Sequence, residues 1–154
     1  MRFDAHGLEV LERLECLELL SSVKLGRVVF TERALPAIQP MNFALDGGDV
    51  VIRTRLGSRL SRALRGAVVA FEADAFDPAG LVGWSVTMIG QSSLIADPEE
   101  ISRLSRLPAL PPPPGPGGDL IRISGRYLSG TRIGTAPTSR VVLNHGSPNG
   151  QAPL

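Results

Sequence analysis

The chain has 154 residues, with 16 lysines and arginines against 15 aspartates and glutamates and a formal net charge of +1. So even a balance excludes a polycation built for nucleic acid, a single cysteine, Cys16, excludes an intramolecular disulfide, and apolar runs of a few residues fall far short of the roughly 20 that cross a bilayer as a helix. The length fits one domain able to bury about 70% of the surface its unfolded chain exposes, and with no secretory leader pattern the expected compartment is the cytoplasm.

From Leu8 to Leu20, LEVLERLECLELL places Val10, Leu11, Leu14, Leu17 and Leu20 at helical spacing, with Glu9, Glu12, Glu15 and Glu18 turned outward. An amphipathic helix is expected there. GRVVFT, PAIQPMNFAL and DVVIRTR then read as strands separated by turn material such as Asp46-Gly47-Gly48-Asp49. GSRLSRALRG reads as a short helix: Ser58 is a good N-cap, Leu60, Ala63 and Leu64 share a face, and Gly66 can end it. Two more strands follow, AVVAFEADAF and VGWSVTMIGQSSLIA, the second carrying Gly90 as a bulge or point of close backbone approach. DPEEISRLSRL has an Asp97 cap, Pro98 at the first helical position and acids in the first turn. DLIRISGRYLSGTRI is one further strand or a pair. Between these, residues 108–118, PALPPPPGPGG, form an extended connector. Residues 135–154 are polar, aperiodic and rich in glycine and proline, as a disordered tail would be. The ordered domain is therefore expected over 1–134, mainly β with flanking helices, as an antiparallel barrel or sandwich rather than alternating βαβ units.

The segment RTRLGSRLSRALR, residues 53–65, carries five arginines and no acid. In DVVIRTR, alternation puts Val50, Ile52 and Thr54 on one face and Val51, Arg53 and Arg55 on the other. Gly57 permits a tight turn, and Ser58 opens a helix whose N–H groups, hydroxyl and neighbouring Arg59 together suit one anion. The phosphate of a small ligand is favoured over a merely solvated face or a nucleic-acid backbone.

The order ECLELLSSVKLGRVVF, PAIQPMNFALDGGDVVIRTRLGSRLSRA, VAFEAD and GWSVTMIGQSSLI resembles the pyridoxamine 5′-phosphate oxidase-like proteins of the flavin-binding split-barrel superfamily, particularly a small actinobacterial-type branch, over residues 8 to 134. The resemblance implies a six-stranded antiparallel split β-barrel that forms a homodimer and holds FMN, or in sister groups a deazaflavin or haem, between subunits. It implies phosphate contacts from Arg53, Thr54, Gly57, Ser58 and Arg59, ring contacts from Pro40, Met41 and Asn42, and Trp84 and Ser85 nearby. Position 59 is arginine where many relatives have lysine, which keeps the charge and adds a bidentate option. Leu60 stands where enzymes acting on pyridoxamine phosphate have a further basic residue, and no C-terminal segment resembles the one that holds that substrate. Oxidation of pyridoxamine phosphate itself is therefore not expected. The proline run lies where relatives commonly carry a Pro-Trp pair near the cofactor.

Elsewhere, acidic neighbours make Cys16 a structural thiol, and His6 and His145, at opposite ends, complete no metal-ligating cluster. Glu72 and Asp74 share one strand face; a pair of carboxylates can do acid–base work, but edge solvation or an ion pair with an arginine is the expectation. The expectation is an FMN-binding homodimeric oxidoreductase, without nucleic acid or membrane as partner, in which the flavin carries the chemistry on a small-molecule substrate or electron donor. The other reading is a carrier or sensor of flavin, deazaflavin or haem that does not turn over.

Overall fold

The computed structural model of the chain describes residues 1–112, 115 and 117–134. The tail expected over 135–154 and part of the proline-rich connector lie outside the described residues. The elements are β1 (Arg2–Phe3), β2 (Glu9–Val10), α1 (Arg13–Ser21), β3 (Leu25–Glu32), β4 (Leu35–Asn42), β5 (Ala44–Asp46), β6 (Asp49–Thr54), α2 (Arg59–Ala63), β7 (Val68–Phe76), β8 (Gly83–Leu94), α3 (Pro98–Leu104), β9 (Asp119–Ile123) and β10 (Tyr127–Ile133). Every strand pairing is antiparallel.

Six strands wrap around one core in the order β4-β3-β7-β8-β9-β6. Alternation fixes which side chains enter it: Val28 and Phe30 from β3, Val69, Phe71 and Ala73 from β7, and Val86 and Met88 from β8 are all buried. β8 is long enough to serve two neighbours, pairing with β10 through Gly83 to Ile89 and with β9 through Ser92 to Leu94. Gly90 sits between those stretches, and a Cβ there would strike the Ser124 carbonyl. That is the close backbone approach expected of it.

The wrap is not closed, because no ladder joins β4 to β6. The chain forks at Phe43. On one side of it β4 pairs with β3, from Leu25 opposite Asn42 to Glu32 opposite Leu35; on the other, β5 leaves to pair with β6, Ala44 opposite Val51. Phe43 itself points into the core with its ring centroid 4.7 Å from that of Phe71. The barrel is thus split along β4 and the second half of β6.

Both faces of β6 are covered. Val50 and Ile52 belong to the barrel core, while Val51 belongs to a second cluster with Leu104 of α3 and Leu110. The strand alternation placed Val51 on the arginine face correctly, and α3 and the segment after it make that face dry at this position. Asp97 caps α3 by accepting from the Glu99 amide at 3.2 Å.

The first helix starts later than its leucine spacing implies. Glu9 and Val10 are a short strand whose register partners are Arg132 and Thr131 of β10, and α1 begins at Arg13. Cys16 and Leu20 turn into the core, whereas Leu14 is 75% exposed. Backbone pairing to β10 outweighs a helical pattern that was ambiguous in phase. Among the described residues no helix is long and apolar enough to cross a membrane.

Candidate functional site

The open seam between β4 and β6 holds a cavity of about 450 Å³. One wall is β4, with Gln39, Pro40, Met41 and Asn42. The other is the end of β6 and the turn after it, with Arg53, Thr54, Arg55 and Ser58, and Leu60 and Pro111 complete the lining. Six residues expected at a cofactor site, Pro40, Met41, Asn42, Arg53, Thr54 and Ser58, are therefore brought together.

Local bonding explains how each is held. The Asn42 side-chain amide donates to the Lys24 carbonyl at 3.1 Å, tying the β4 end to the start of β3. Thr54 is buried against Asp119, and Arg53 donates to the Pro111 carbonyl at 2.8 Å. The Arg55 side chain has no hydrogen-bond or ion-pair partner among the described residues, so the seam keeps one uncommitted guanidinium as well as the Ser58 hydroxyl hydrogen. No carboxylate, imidazole or thiol lines the cavity among the described residues. The electrostatics favour an anion at the arginine end.

The turn after β6 is organised from behind. Gly57 adopts a left-handed φ of 62°, which glycine takes without steric penalty. The Gly57 N–H donates to Asp119 Oδ2 at 2.9 Å, and the Ser61 hydroxyl donates to the same oxygen at 2.6 Å. The Ser58 N–H goes to the Arg55 carbonyl, and the Ser58 hydroxyl oxygen caps α2 by accepting from the Ser61 N–H at 3.1 Å. Asp119 is only 8% exposed. Burial alone would raise its pKa, but the Ser61 hydroxyl, the Gly57 amide and Arg65 outweigh it and hold the carboxyl below 3.8. Asp119→Ala strands the Gly57 N–H and the buried Ser61 hydroxyl, so a loss of about 2 kcal/mol is expected. Urea denaturation checks this, and Asp119→Asn, which keeps an acceptor, should lose less.

Four expected residues do not line the seam. Gly57 lies behind it. Arg59 forms an ion pair with Glu32 in a neighbouring cleft that also contains Thr31, Arg33 and Arg62. Trp84 is half-buried against the barrel core. Ser85 points the opposite way, donating to Glu72 at 3.1 Å, and Arg27 bonds Glu72 at 3.1 Å and Asp74 at 3.4 Å. Of the two expected arrangements, edge solvation or an ion pair with an arginine, the Glu72–Asp74 pair takes the second. Burial, followed by the nearby Asp74, raises the Glu72 pKa against the bonds from Ser85 and Arg27.

Asp119 carried no signal in the sequence, and Pro111 only that of lying in the proline run that the resemblance sets near the cofactor. Each meets the β6 turn only through tertiary placement, Asp119 from 62 residues away along the chain. Arg55 was legible as an outward-facing strand residue, and its lack of a partner is what the fold adds.

The family model for pyridoxamine 5′-phosphate oxidase matches residues 12–128. An uncharacterised protein of Mycobacterium tuberculosis, Rv0080, is 48% identical over 98 residues, which is 60% of this chain and 64% of that protein. The chain therefore matches somewhat less than two thirds of that relative's length. Among solved structures, the FAD binding protein from Mycobacterium smegmatis is 32% identical with a TM-score of 0.71, the match covering 82% of this chain and 98% of that one. A Corynebacterium glutamicum protein, provisionally described as a pyridoxamine 5′-phosphate oxidase, is 30% identical with a TM-score of 0.73, covering 84% of this chain and 95% of that one. A split antiparallel barrel with a family match over most of its length places this chain in the pyridoxamine 5′-phosphate oxidase family.

Proposed function

We propose that the chain binds a flavin in the β4–β6 seam and works as a homodimeric oxidoreductase, with FMN as the minimal cofactor. The observation that carries this reading is the convergence of six expected residues on one cavity whose arginine end keeps the Arg55 guanidinium uncommitted among the described residues. A volume of about 450 Å³ falls in the usual range for small-molecule sites, about 300–1,000 Å³. Arg53, Arg55 and Ser58 suit a phosphate, and Pro40, Met41 and Asn42 offer the flat, largely apolar strand surface that a ring system needs. A flavin held there would supply hydride or single-electron transfer. The chain's own part is to bind, orient and keep water away, since the described lining holds no acid or base. Leu60 presents a hydrocarbon to the cavity, which argues against a second phosphate-bearing substrate such as pyridoxamine phosphate beside it.

The homodimer is supported by the outer face of the sheet. Ile38, Val29, Ala70, Ile89 and Tyr127 stand side by side in register across five strands, and Ile38, Ile89 and Tyr127 are exposed. A second copy covering that row would also wall the open side of the seam beside edge strand β4. The relative from Mycobacterium smegmatis is an FAD binding protein by name, so a flavin is the class, with deazaflavin and haem as the other groups considered. A carrier or sensor that does not turn over is the second reading, favoured by the same lack of an acid or base in the seam.

Titrating the purified protein into FMN should quench flavin fluorescence. Arg55→Ala combined with Ser58→Ala should weaken binding about 10- to 100-fold, the size of one or two lost charge-assisted hydrogen bonds. No quenching up to millimolar protein would remove the reading. Bleaching of the bound flavin by a nicotinamide donor separates an enzyme from a carrier.

A further inference from the structure

We infer that the arginine-lined cleft at the tip of the β3–β4 hairpin takes the 2′-phosphate of a nicotinamide dinucleotide and so selects NADPH over NADH as the reductant; this rests on the flavin reading above. The cleft, about 330 Å³, lies between Thr31, Glu32 and Arg33 of the hairpin and Arg59, Arg62 and Ala63 of α2. A flavin's own phosphate is served elsewhere, by Arg53, Arg55 and Ser58 in the seam. That leaves the cleft to a second molecule.

The charge in the cleft is not balanced internally. Arg33, Arg59 and Arg62 face one carboxylate, Glu32, which Arg59 already engages. Arg62 donates to the Gly57 carbonyl at 3.2 Å, a neutral partner that leaves its charge uncompensated. The Arg33 side chain is exposed and has no partner among the described residues. Two positive charges are therefore left over at one small recess. A phosphate monoester, nearly doubly charged at neutral pH and with terminal oxygens to accept from both guanidinium groups, matches them where a hydroxyl does not. The 2′ position is where NADPH carries that ester and NADH a hydroxyl. Arg33 also sits where local preference opposes it: with Ala34 it links β3 to β4 at φ of 51° and 62°, a turn that favours Asn-Gly or Gly-Gly, so the guanidinium is kept against the backbone's own preference.

Distance separates this donor from a smaller one. Leu35 stands opposite Glu32 at the cleft end of β4, and Pro40 lines the seam; five residues of extended chain set the two about 17 Å apart. A nicotinamide lying over a flavin ring at Pro40 to Asn42 would hold the single phosphate of a mononucleotide well short of the cleft. An extended dinucleotide spans that length, with its 2′-phosphate at the end remote from the nicotinamide. Among the described residues β4 pairs only with β3, so no strand occupies its other edge between seam and cleft. The transfer so served moves one hydride, with its electron pair, from the dihydronicotinamide to the flavin, and the donor leaves in its oxidised form.

The test titrates NADP⁺ and NAD⁺ separately into the full-length chain by calorimetry, with and without FMN, for the wild type and for Arg33→Gly, whose glycine suits the turn and should raise the thermal midpoint. The wild type should bind NADP⁺ about tenfold more tightly than NAD⁺, the scale of one charged contact. Arg33→Gly should bring that preference to within about twofold by weakening NADP⁺ alone, with FMN affinity unchanged. Adenosine 2′-monophosphate should displace NADP⁺ at lower concentration than inorganic phosphate does; equal displacement means an unselective anion cleft and overturns the assignment. Equal affinity for the two dinucleotides, or a preference that survives Arg33→Gly, overturns it as well, and the flavin reading stands so long as FMN binds. If FMN does not bind, the flavin reading falls, and the preference for NADP⁺ with its loss in Arg33→Gly decides the 2′-phosphate site by itself.

Discussion

Phe43→Ala should destabilise the fold by about 3–5 kcal/mol, the range for truncating a buried aromatic residue, and should weaken flavin binding at least tenfold in the fraction that remains folded. Phe43 is 2% exposed and packs on Phe71 with the ring planes tilted by 59°, an arrangement favourable beyond the buried area alone. Its position gives the substitution a second effect. β4 and β5 are separated by this one residue, and they pair with different neighbours on either side of it. The inward ring is the wedge that holds the two directions apart, so its loss lets β4 move toward β6 and narrows the seam. Phe43→Leu, which fills most of the volume, should recover the greater part of both losses. Urea denaturation gives the stability change and flavin titration well below the thermal midpoint gives the affinity. A wild-type flavin affinity in Phe43→Ala would show that the fork does not shape the site.

Most strands were legible because their interiors alternate cleanly. β3, β7 and β8 have apolar residues at every second position and bury that set. The two later helices were legible from their caps, Ser58 and Asp97, both of which accept from the first turn. The beginning of α1 was not, because Val10, Leu11, Leu14, Leu17 and Leu20 satisfy a helical period that tertiary pairing of Glu9 and Val10 with β10 then overrides. At the site, a strand and a turn far apart in sequence had to be paired, and the family resemblance supplied that pairing where periodicity could not. Alternation limited it: Trp84 and Ser85 are adjacent on β8, so their side chains leave opposite faces and no single pocket on that sheet receives both. Arg59 follows Ser58 by about 100° around a helix, enough to carry it from the seam to the hairpin tip, where Glu32 pairs with it. Neither Glu32 nor Asp119 could be placed beside the arginine segment before the strands were arranged.

The same dependence on tertiary placement governs the largest electrostatic effect expected away from the site. Arg122 of β9 is 20% exposed and meets Asp46 at 2.9 Å, Asp49 at 3.2 Å and Glu100 in a further ion pair, while Asp46 also takes two bonds from Arg103 at 2.7 and 3.1 Å. Arg122→Ala leaves three half-buried carboxylates around the space of one lost cation, and a loss of about 3 kcal/mol at pH 7 is expected, the lower end for a broken buried pair. Arg103 first, and Arg122 with it, bring the Asp46 pKa from 3.8 to about 2. A carboxyl whose pKa is lower in the folded state stabilises the fold above its unfolded pKa, and that contribution disappears as the pH drops through the folded value. In the wild type it is full above about pH 4 and gone near pH 2, worth at most about 2 kcal/mol at 1.36 kcal/mol per pKa unit. The variant should behave in the opposite sense relative to it: three carboxylates are left with Arg103 as their one remaining partner, on Asp46, and protonation relieves their repulsion, so the deficit against wild type should shrink between pH 7 and pH 3. Urea midpoints for both proteins at pH 7, 5 and 3 measure this. A deficit below about 0.5 kcal/mol, the level of an exposed surface pair, or one that stays constant over that range, would mean that Arg122 is solvated and does not bind β9 to α3 and the β5–β6 turn.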